Sequence, residues 1–396
     1  MAHYEYLIVG GGMTADAAVR GIRSVDEGGS IGLVSAEPDP PYDRPPLSKG
    51  LWTGQDEEGI WRETEDEGVD LHLDRRITRI DREERTATDD RGTVYSYGEL
   101  LLAVGASPRE LEDGVPQVNY LRTYRDYLRL RRDAEEKKSF AVIGGGFIGS
   151  EIAASLAVND NEVVLLFPEE GICDRVLPPD LSRHLNGYFR DRGVDVRSES
   201  MVTSVRRSGD EFLIAVEGSE EPALRVDSVV AGLGVEPRIM LAETSGLETE
   251  DGIVVDASFQ TGDPHIYSAG DCAAFWSPVL GKRLRIEHED HANSSGMHAG
   301  RAMAGELVQY DYLPFFYSDL FDLGYEAVGE LNAAGMDLAT DWSGGEFEEG
   351  AVYYLRDGRV RGVLLWNLRG KLKDARSLIQ ERRRMTTEDL AGALTG

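Results

Sequence analysis

Two glycine-rich turns, each following an apolar strand, constrain the fold of this chain more than any other feature. They lie in YEYLIVGGGMTADAAVRGI and in SFAVIGGGFIGSEIAASLAV, and each leads into a helix-favouring segment. Glycines in this context allow a tight turn and close backbone approach, so a pyrophosphate can lie at the helix N-terminus. Both turns follow the G-x-G-x-x-G/A pattern, and its residues are Gly10, Gly12 and Ala15 in the first and Gly144, Gly146 and Gly149 in the second. The sequence therefore predicts two Rossmann-like dinucleotide-binding domains in an α/β chain.

Acidic residues follow the next predicted strand of each unit. Glu37 comes after SIGLVSA, about the expected 20 residues beyond the first turn, although one residue later than the strand end predicts. Glu169 and Glu170 follow the corresponding strand in NEVVLLFPEEG. Such carboxylates accept ribose hydroxyls, whereas a 2′-phosphate needs arginines, and arginines do not crowd the end of the second strand. We therefore expect NADH rather than NADPH.

Two further strands run into glycine turns, in DSVVAGLGVEPRIML and in IYSAGDCAAF. The second turn places Asp271 at a strand end, where a carboxylate can hold the ribityl hydroxyls of a flavin. A single GD turn is weak support, but here it follows two dinucleotide fingerprints. The combination predicts a flavoprotein with FAD at the first site and a nicotinamide at the second.

The charge of the chain excludes some partners. Acidic residues number 72 against 42 basic ones, which gives a net charge of −30, so nucleic acid is disfavoured. Six of the basic residues are lysines, and acidic clusters such as GQDEEG and RETEDEG recur. An ordinary acidic cytosolic protein and a protein adapted to molar salt both fit this composition. We favour the halophilic interpretation, because a Debye length of about 3 Å at 1 M salt mutes repulsion.

The length of 396 residues predicts two or three domains. No apolar run approaches the roughly 18 residues of a membrane span, and MAHYEYLIVGGG enters a strand directly without a targeting segment. We expect a cytoplasmic protein without a membrane span, as a monomer or homodimer. Its two cysteines, Cys173 and Cys272, have no CxxC or CxxxxC spacing, so a thiol relay has little support.

Several longer segments resemble the apoptosis-inducing-factor family of FAD and NADH oxidoreductases, and more broadly the flavin-dependent ferredoxin reductases of the pyridine-nucleotide disulfide oxidoreductase superfamily. The resemblance runs from about Tyr6 to Leu394, and its segments are PPYDRPPLSKGLW, GGGFIGSE, LLFPEEGICDRVLPPDLS, RIEHEDHA, FYSDLFDLGYEAVGE and GAVYYLRDGRVRGVLLWN. It implies an FAD domain at residues 1–122 and 247–312, split by an inserted NADH domain at 123–246. A C-terminal α/β domain follows at 313–396.

The resemblance also assigns the proline-stiffened loop PPYDRPPLSKG. In this family the lysine of PPLSK lies beside the flavin and pairs with the glutamate that follows the second fingerprint. The implied catalytic pair is Lys49 and Glu151. A buried ammonium can stabilise negative charge on a flavin, and a buried charge needs a partner. The prolines limit the backbone freedom that positioning Lys49 would otherwise cost.

Other site residues are carried over from the same resemblance. Those expected to contact FAD are Arg44, Ile77 through its backbone, Arg122, Asp271, Glu287 and His288, and Phe147 is expected to guard the nicotinamide. Tyr317 stands where many relatives have tryptophan, and Val104 stands where threonine is common, so flavin packing is expected to differ. HEDH can also be interpreted as a metal cluster, but its two histidines indicate no third ligand, and zinc is disfavoured.

Three functions remain open. The first is an enzyme that passes electrons from NADH through FAD to a ferredoxin, a quinone or oxygen. A ferredoxin would need a basic face, and the candidates are Lys371, Lys373 and Arg382 to Arg384, although solvated helix faces are the favoured explanation of these residues. The second is a slow NADH-responsive binding protein with a long-lived complex of reduced flavin and NAD. The third, a disulfide reductase, is disfavoured because the PPLSK loop lacks a thiol.

Overall fold

The computed structural model describes residues 2–112, 114–218 and 224–396. The chain forms two compact units, and each is assembled from separated segments. Unit 1 comprises Met1–Arg44, Asp56–Ser107 and Glu236–Pro314, and unit 2 comprises Pro45–Gln55, Pro108–Val235 and Phe315–Gly396. The PPLSK loop thus belongs to unit 2, although the residues on both sides of it belong to unit 1.

Helices separate groups of strands along the chain. The strands are β1 Ala2–Val9, β2 Ile31–Val34, β3 Val69–His72, β4 Ile77–Asp81, β5 Thr86–Asp89, β6 Val94–Leu102, β7 Ala106–Pro108, β8 Ser139–Ile143, β9 Glu162–Leu166, β10 Val194–Arg197, β11 Val202–Ser208, β12 Glu211–Val216, β13 Leu224–Val226, β14 Ser228–Ala231, β15 Val235–Pro237, β16 Thr249–Glu250, β17 Gly252–Val254, β18 Ile266–Ser268, β19 Ala273–Ser277, β20 Lys282–Leu284, β21 Phe315–Leu320, β22 Leu323–Gly329, β23 Asp337–Ser343, β24 Glu349–Arg356 and β25 Arg359–Trp366. The helices are α1 Met13–Arg23, α2 Tyr124–Glu135, α3 Phe147–Val158, α4 Pro179–Arg190, α5 Met240–Thr244, α6 Glu289–Met303, α7 Leu372–Glu381 and α8 Thr387–Leu390.

Unit 1 is organised by a sheet in the order β3-β2-β1-β6-β5-β4, with β18 paired to the end of β6. β2 is buried along its whole length, as expected for an apolar strand covered on both faces. Strands β3, β2, β1, β6 and β18 are parallel to one another. Val9 at the end of β1 pairs with both Val34 and Leu102. The carboxyl ends of these strands therefore meet at one edge of the sheet, where ligands bind in such folds.

Helices α1 and α6 pack so closely within unit 1 that their backbones are in contact. A Cβ built on Gly300 would lie 2.1 Å from the Ala18 carbonyl oxygen, and one built on Gly296 would lie 2.4 Å from that of Thr14. These contacts are possible only because residues 296 and 300 lack a side chain. The crossing therefore fixes the first fingerprint helix against the helix that begins after His288.

Unit 2 repeats the nucleotide-binding arrangement with a parallel sheet in the order β10-β9-β8-β14. Ile143 at the end of β8 pairs with Leu166 of β9 and with Ala231 of β14. The glycine turn that follows β8 thus lies at the carboxyl edge of this sheet, as in unit 1. A separate antiparallel sheet, β11-β12-β13, flanks it in sequence.

The C-terminal part of unit 2 is an antiparallel sheet in the order β21-β22-β25-β24-β23. Aromatic residues fill its core, where Tyr325 and Trp366 stack with ring centroids 5.8 Å apart and planes 7° apart. Helix α7 packs on β22 and β25. Within the described ranges, none of the helices has the length and apolar character needed to cross a bilayer.

Candidate active and cofactor-binding site

The first fingerprint forms the turn from β1 into α1. Gly10 has φ +128°, and a Cβ there would lie 2.1 Å from the Ala103 carbonyl oxygen, so only glycine fits. Gly12 is the N-cap of α1 and makes no side-chain capping bond, while Ala15 is buried within the helix. The first amide groups of a helix have no partner within it. The turn therefore presents amide donors suited to a pyrophosphate.

The acid predicted for the first unit lies next to a predicted arginine. Arg44 Nη2 lies 2.5 Å from Glu37 Oε1, and the Tyr42 hydroxyl donates to Glu37 Oε2 at 2.6 Å. The Arg44 guanidinium is also 3.7 Å from the position of a Cβ built on Gly12. The structure thus brings Gly12, Glu37 and Arg44 together.

Asp271 and His288 lie at a second edge of the unit 1 site. Asp271 is buried in a helical turn that follows β18, and His288 is the N-cap of α6. Burial lowers the pKa of His288 to about 4, although the nearby Asp271 carboxylate acts in the opposite direction. His288 is therefore neutral at pH 7.

Three other predicted FAD contacts are in different surroundings. Ile77 begins β4, and its side chain is buried in the core of unit 1. Glu287 is exposed and accepts a bond from Arg285 at 2.5 Å. Arg122, in unit 2, precedes the capping box that starts α2, and its backbone N–H donates to Asp126 at 3.3 Å.

The second fingerprint repeats the first turn in unit 2. Gly144 has φ +112°, and a Cβ there would lie 2.3 Å from the Gly232 carbonyl oxygen. A Cβ on Gly149 would lie 1.9 Å from the oxygen of Gly144, so the helix sits close against the turn. Gly146, the N-cap of α3, has no side-chain cap and open space around its Cα. This open cradle fits a second pyrophosphate.

The acids after β9 do have arginine partners, which the sequence did not predict. Arg175 lies 3.4 Å from Glu169, and Arg183 lies 2.9 Å from Glu170. Arg183 comes from helix α4, so its approach depends on the fold rather than on sequence proximity. In the folded chain one arginine thus pairs with each glutamate, and the expectation of NADH depends on the glutamates.

The ion pair implied for the PPLSK loop is present. Lys49 Nζ lies 2.7 Å from Glu151 Oε2, and the Glu151 side chain is only 3% exposed. Glu151 extends from the second turn of α3, directly beyond the fingerprint. Lys49 is 15% exposed, and its ammonium also lies 5.3 Å from the centre of the Tyr317 ring. The structure thus brings Lys49, Glu151 and Tyr317 together.

Side-chain bonds hold the lysine loop in place in addition to its prolines. The Trp52 indole donates to the Leu47 carbonyl at 2.8 Å, and the Ser155 hydroxyl donates to the Ser48 carbonyl at 2.8 Å. The Asn159 amide donates to the Trp52 carbonyl at 3.1 Å. Because Ser155 and Asn159 lie on or next to α3, the loop is anchored to the same helix that supplies Glu151.

Two serines at the ion pair were missed by the sequence reasoning. Ser48 donates to Glu151 Oε2 at 2.6 Å, and Ser318 donates to Glu151 Oε1 at 2.7 Å. Ser48 was within a quoted motif, so its position beside Lys49 was a usable signal. Ser318 comes from β21, and no local pattern connects it with Glu151.

Phe147 occupies the first position of α3, at the open cradle. Its ring contacts Phe316 edge-on with centroids 5.2 Å apart. The ring is therefore held at the entrance of the second fingerprint by a residue of β21, where it can meet a nicotinamide.

The two cysteines are free and buried. Burial raises the pKa of Cys173 to about 12 and also raises that of Cys272, so both are neutral thiols at pH 7. They belong to different units.

Two dinucleotide cradles in one α/β chain, with a largely buried ammonium beside one of them, define a class of nucleotide-dependent oxidoreductase.

Comparisons with known proteins identify the family. A family model described as pyridine nucleotide-disulphide oxidoreductase matches residues 4–299, and one for the C-terminal region of apoptosis-inducing factor matches residues 336–381. The chain is 32% identical to a ferredoxin–NAD(P)⁺ reductase of Sphingomonas sp., over 96% of this chain and 94% of that protein. It is 31% identical to the peroxisomal monodehydroascorbate reductase 4 of Arabidopsis thaliana, over 91% of this chain and 79% of that protein.

Solved structures agree with this assignment. The reductase in the covalent putidaredoxin reductase–putidaredoxin complex matches with a TM-score of 0.89 and 28% identity, covering 99% of this chain and 96% of that chain. The chain belongs to the pyridine nucleotide-disulphide oxidoreductase family. It is an FAD-dependent NAD(P)H oxidoreductase with the predicted α/β fold, which confirms the enzyme class and both cofactors.

Proposed function

We propose that this chain oxidises NADH through FAD and passes the electrons to a ferredoxin. The observation that carries the proposal is the buried Lys49–Glu151 pair at the second fingerprint helix. Two relatives support the acceptor: the Sphingomonas ferredoxin reductase and the putidaredoxin reductase that was solved bound to putidaredoxin. The expected division into an FAD domain, an inserted NADH domain and a C-terminal domain is part of the same proposal.

FAD, when bound, supplies the redox chemistry, because it accepts a hydride from NAD(P)H and can release electrons singly. Lys49 contributes a fixed positive charge, and such a preorganised charge is worth most where water is excluded. Glu151 compensates that charge, since an isolated buried ammonium would be expensive. We assign both residues to the reacting centre.

The remaining residues are assigned to holding the two nucleotides. In unit 1 the amide groups at the start of α1, with Arg44, take a pyrophosphate, while Glu37 and Asp271 take hydroxyl groups. In unit 2 the start of α3 takes the second pyrophosphate, and Phe147 meets the nicotinamide. Glu169 and Glu170 take the ribose, and their carboxylates oppose the 2′-phosphate that distinguishes NADPH.

The electron exit is assigned to an aromatic and basic face of unit 2. Phe315 and Tyr317 stack with centroids 6.4 Å apart, and the Arg376 guanidinium lies 5.7 Å from the Phe315 ring centre. Tyr317 also faces the Lys49 ammonium. Lys371 is the N-cap of α7, which carries Arg376. Asp374 also lies in the first turn of α7, so this face carries both charges, and we assign its cations to contact with an acidic ferredoxin.

An anaerobic titration of the FAD-loaded protein with NADH tests the proposal. We expect clean bleaching of the flavin, followed by rapid reoxidation when a [2Fe–2S] ferredoxin is added and slower reoxidation in air. A broad long-wavelength band that persists in air would overturn the proposal and favour the NADH-responsive alternative. Equal reoxidation by a quinone would remove ferredoxin as the preferred acceptor.

A charge-reversal variant tests the docking face. Lys371→Glu with Lys373→Glu should raise the KM for ferredoxin several-fold and leave reduction of a small quinone unchanged. Arg225→Glu is a matched control, because Arg225 is an exposed cation of unit 2 on β13, where it pairs with Glu211. If ferredoxin turnover is unchanged in the lysine variant, these residues are solvated surface charges.

A further inference from the structure

Glu151 accepts bonds from three donors that come from two different segments. Lys49 Nζ and the Ser48 hydroxyl meet Oε2 at 2.7 and 2.6 Å, and the Ser318 hydroxyl meets Oε1 at 2.7 Å. Ser318 is fully buried and Ser48 nearly so. The carboxylate is therefore bound by one cation and by two neutral hydroxyls that water does not replace.

The two hydroxyls matter because a buried ion pair is not stable by default. Charge separation in an interior has a desolvation cost, which is offset only when the remaining lone pairs are hydrogen-bonded. Without such bonds the proton of Lys49 would pass more readily to Glu151, which would leave a neutral amine and a neutral acid. Hydrogen bonds to an ionised group are about twice as strong as neutral ones, so the serines favour the carboxylate form.

The other titratable groups facing the pair do not ionise near neutral pH. Cys173, which follows β9, has a pKa of about 12 because it is buried. Burial also raises the pKa of Tyr325, the residue of β22 that pairs with Ser318 across the sheet. Tyr317 of β21 presents its ring to the ammonium. A pH dependence at this site can therefore be assigned with a Lys49 reference variant.

We propose that Ser48 and Ser318 are positioning residues that keep the pair charged, with the negative charge on Glu151 and the proton on Lys49. This inference depends on the proposed function, in which Lys49 acts beside the flavin. Its consequence is that the two serines set how much of the pair is charged, and therefore how fast and how readily the flavin is reduced. Their hydroxyls need not touch either nucleotide to have this effect.

The test compares Ser48→Ala and Ser318→Ala with the wild-type holoenzyme. Stopped-flow measurement of flavin reduction against pH should show a lower plateau rate in each variant, because part of the pair is then neutral, and an alkaline limb about one unit higher, because a carboxylate that lacks a hydroxyl partner releases the last proton of the pair less readily. The flavin midpoint potential should become more negative, while the Kd for NADH stays within about twofold. Ser318→Thr keeps the hydroxyl and should retain the wild-type limb.

Two reference variants make the result decisive. Ser182→Ala removes another fully buried serine of unit 2, whose hydroxyl donates to the Ile172 carbonyl, and should move neither the limb nor the potential. Lys49→Met identifies the limb that belongs to the pair. If both alanine variants keep the wild-type limb and potential while Lys49→Met changes them, the serine inference is overturned and the proposed function stands.

Infrared spectroscopy separates the serine inference from the proposed function. The double variant Ser48→Ala/Ser318→Ala should gain a protonated carboxyl band that Glu151→Gln removes. This readout decides on the serines even if Lys49→Met leaves the flavin unaffected, which would contradict the role of Lys49 instead. No such band at any pH at which the variants are folded would overturn the inference.

Discussion

The two fingerprint helices each bury a carboxylate near their start, Asp16 in α1 and Glu151 in α3, at 2% and 3% exposure. Asp16 Oδ2 lies 3.1 Å from both Arg20 and Arg62, and the Thr64 hydroxyl donates to its other oxygen at 2.8 Å. Each of the two arginines also binds a second carboxylate. The charge of Asp16 is thus absorbed into a network inside unit 1.

Glu151 has a different set of partners, a single lysine and two hydroxyls. A network with two cations distributes charge and stabilises structure. A single lysine that pairs with one carboxylate instead holds its ammonium in one position, and the Lys49 side chain stays 15% exposed. The same fold element therefore carries a structural carboxylate in one unit and, in our proposal, a carboxylate for chemistry in the other.

Replacing the lysine should give the largest effect. In Lys49→Met the rate of flavin reduction by NADH should fall roughly a hundredfold, which is typical of removing one preorganised electrostatic contact. The variant should also lose stability, because Glu151 is left buried and unpaired. The double variant Lys49→Met/Glu151→Gln should recover stability but not the rate. A double variant as active as wild type would contradict the assignment.

Neutralising the other buried carboxylate should have the opposite profile. Asp16→Asn is expected to lower the free energy of unfolding by about 2 kcal/mol, because it removes the charge from a buried carboxylate that accepts from Arg20, Arg62 and Thr64, while each arginine keeps a second carboxylate. Denaturant unfolding measures this change. The reduction rate per bound flavin should stay within about twofold of wild type. A rate loss as large as that of Lys49→Met would show that the two carboxylates are not different in role.

The acids after the second strand of each unit provide a smaller contrast. Glu169→Gln with Glu170→Gln should shift the ratio of kcat/KM values for NADPH and NADH about tenfold toward NADPH, since Arg175 and Arg183 are released. Glu37→Gln is the matched change in unit 1, and it should weaken FAD retention while leaving this ratio unchanged. An unchanged ratio in the double variant would place coenzyme selection elsewhere.

Of all these changes, salt should alter the flavin reduction rate least. Its main effect should be on the Tm, through screening of the acidic surface. If the chain is adapted to molar salt, its Tm should rise between about 0.1 M and 2 M KCl as repulsion is screened. Buried Lys49–Glu151 should be insensitive, so the reduction rate at saturating NADH should change less than the Tm. An unshifted, cooperative melt at low salt would argue for an ordinary acidic protein.

Much of the fold was predictable from local sequence. Both glycine turns and the strands around them follow from patterns within about 20 residues. The Lys49–Glu151 pair followed from family resemblance. The contact of Ser318 with Glu151 was not predictable, because Ser318 lies on strand β21, far from Glu151 in the sequence.

The arginines near Glu169 and Glu170 were missed for a related reason. Arg183 is distant in sequence from the strand that precedes Glu170, and it reaches this glutamate from helix α4. Contacts set by tertiary packing rather than by a repeating pattern leave no signature in a single sequence. The family resemblance supplied the ion pair but not the residues that surround it.

The contacts between α1 and α6 make the glycines of α6 less free to change during evolution than the glycine of α4. At Gly296 and Gly300 any side chain would meet the opposing backbone, so a mutational scan scored for folding should recover almost only glycine. Gly187 in α4 has nothing within 4 Å of an added Cβ, and alanine there should be enriched. Homologous sequences would diverge quickly at the second kind of glycine and remain fixed at the first.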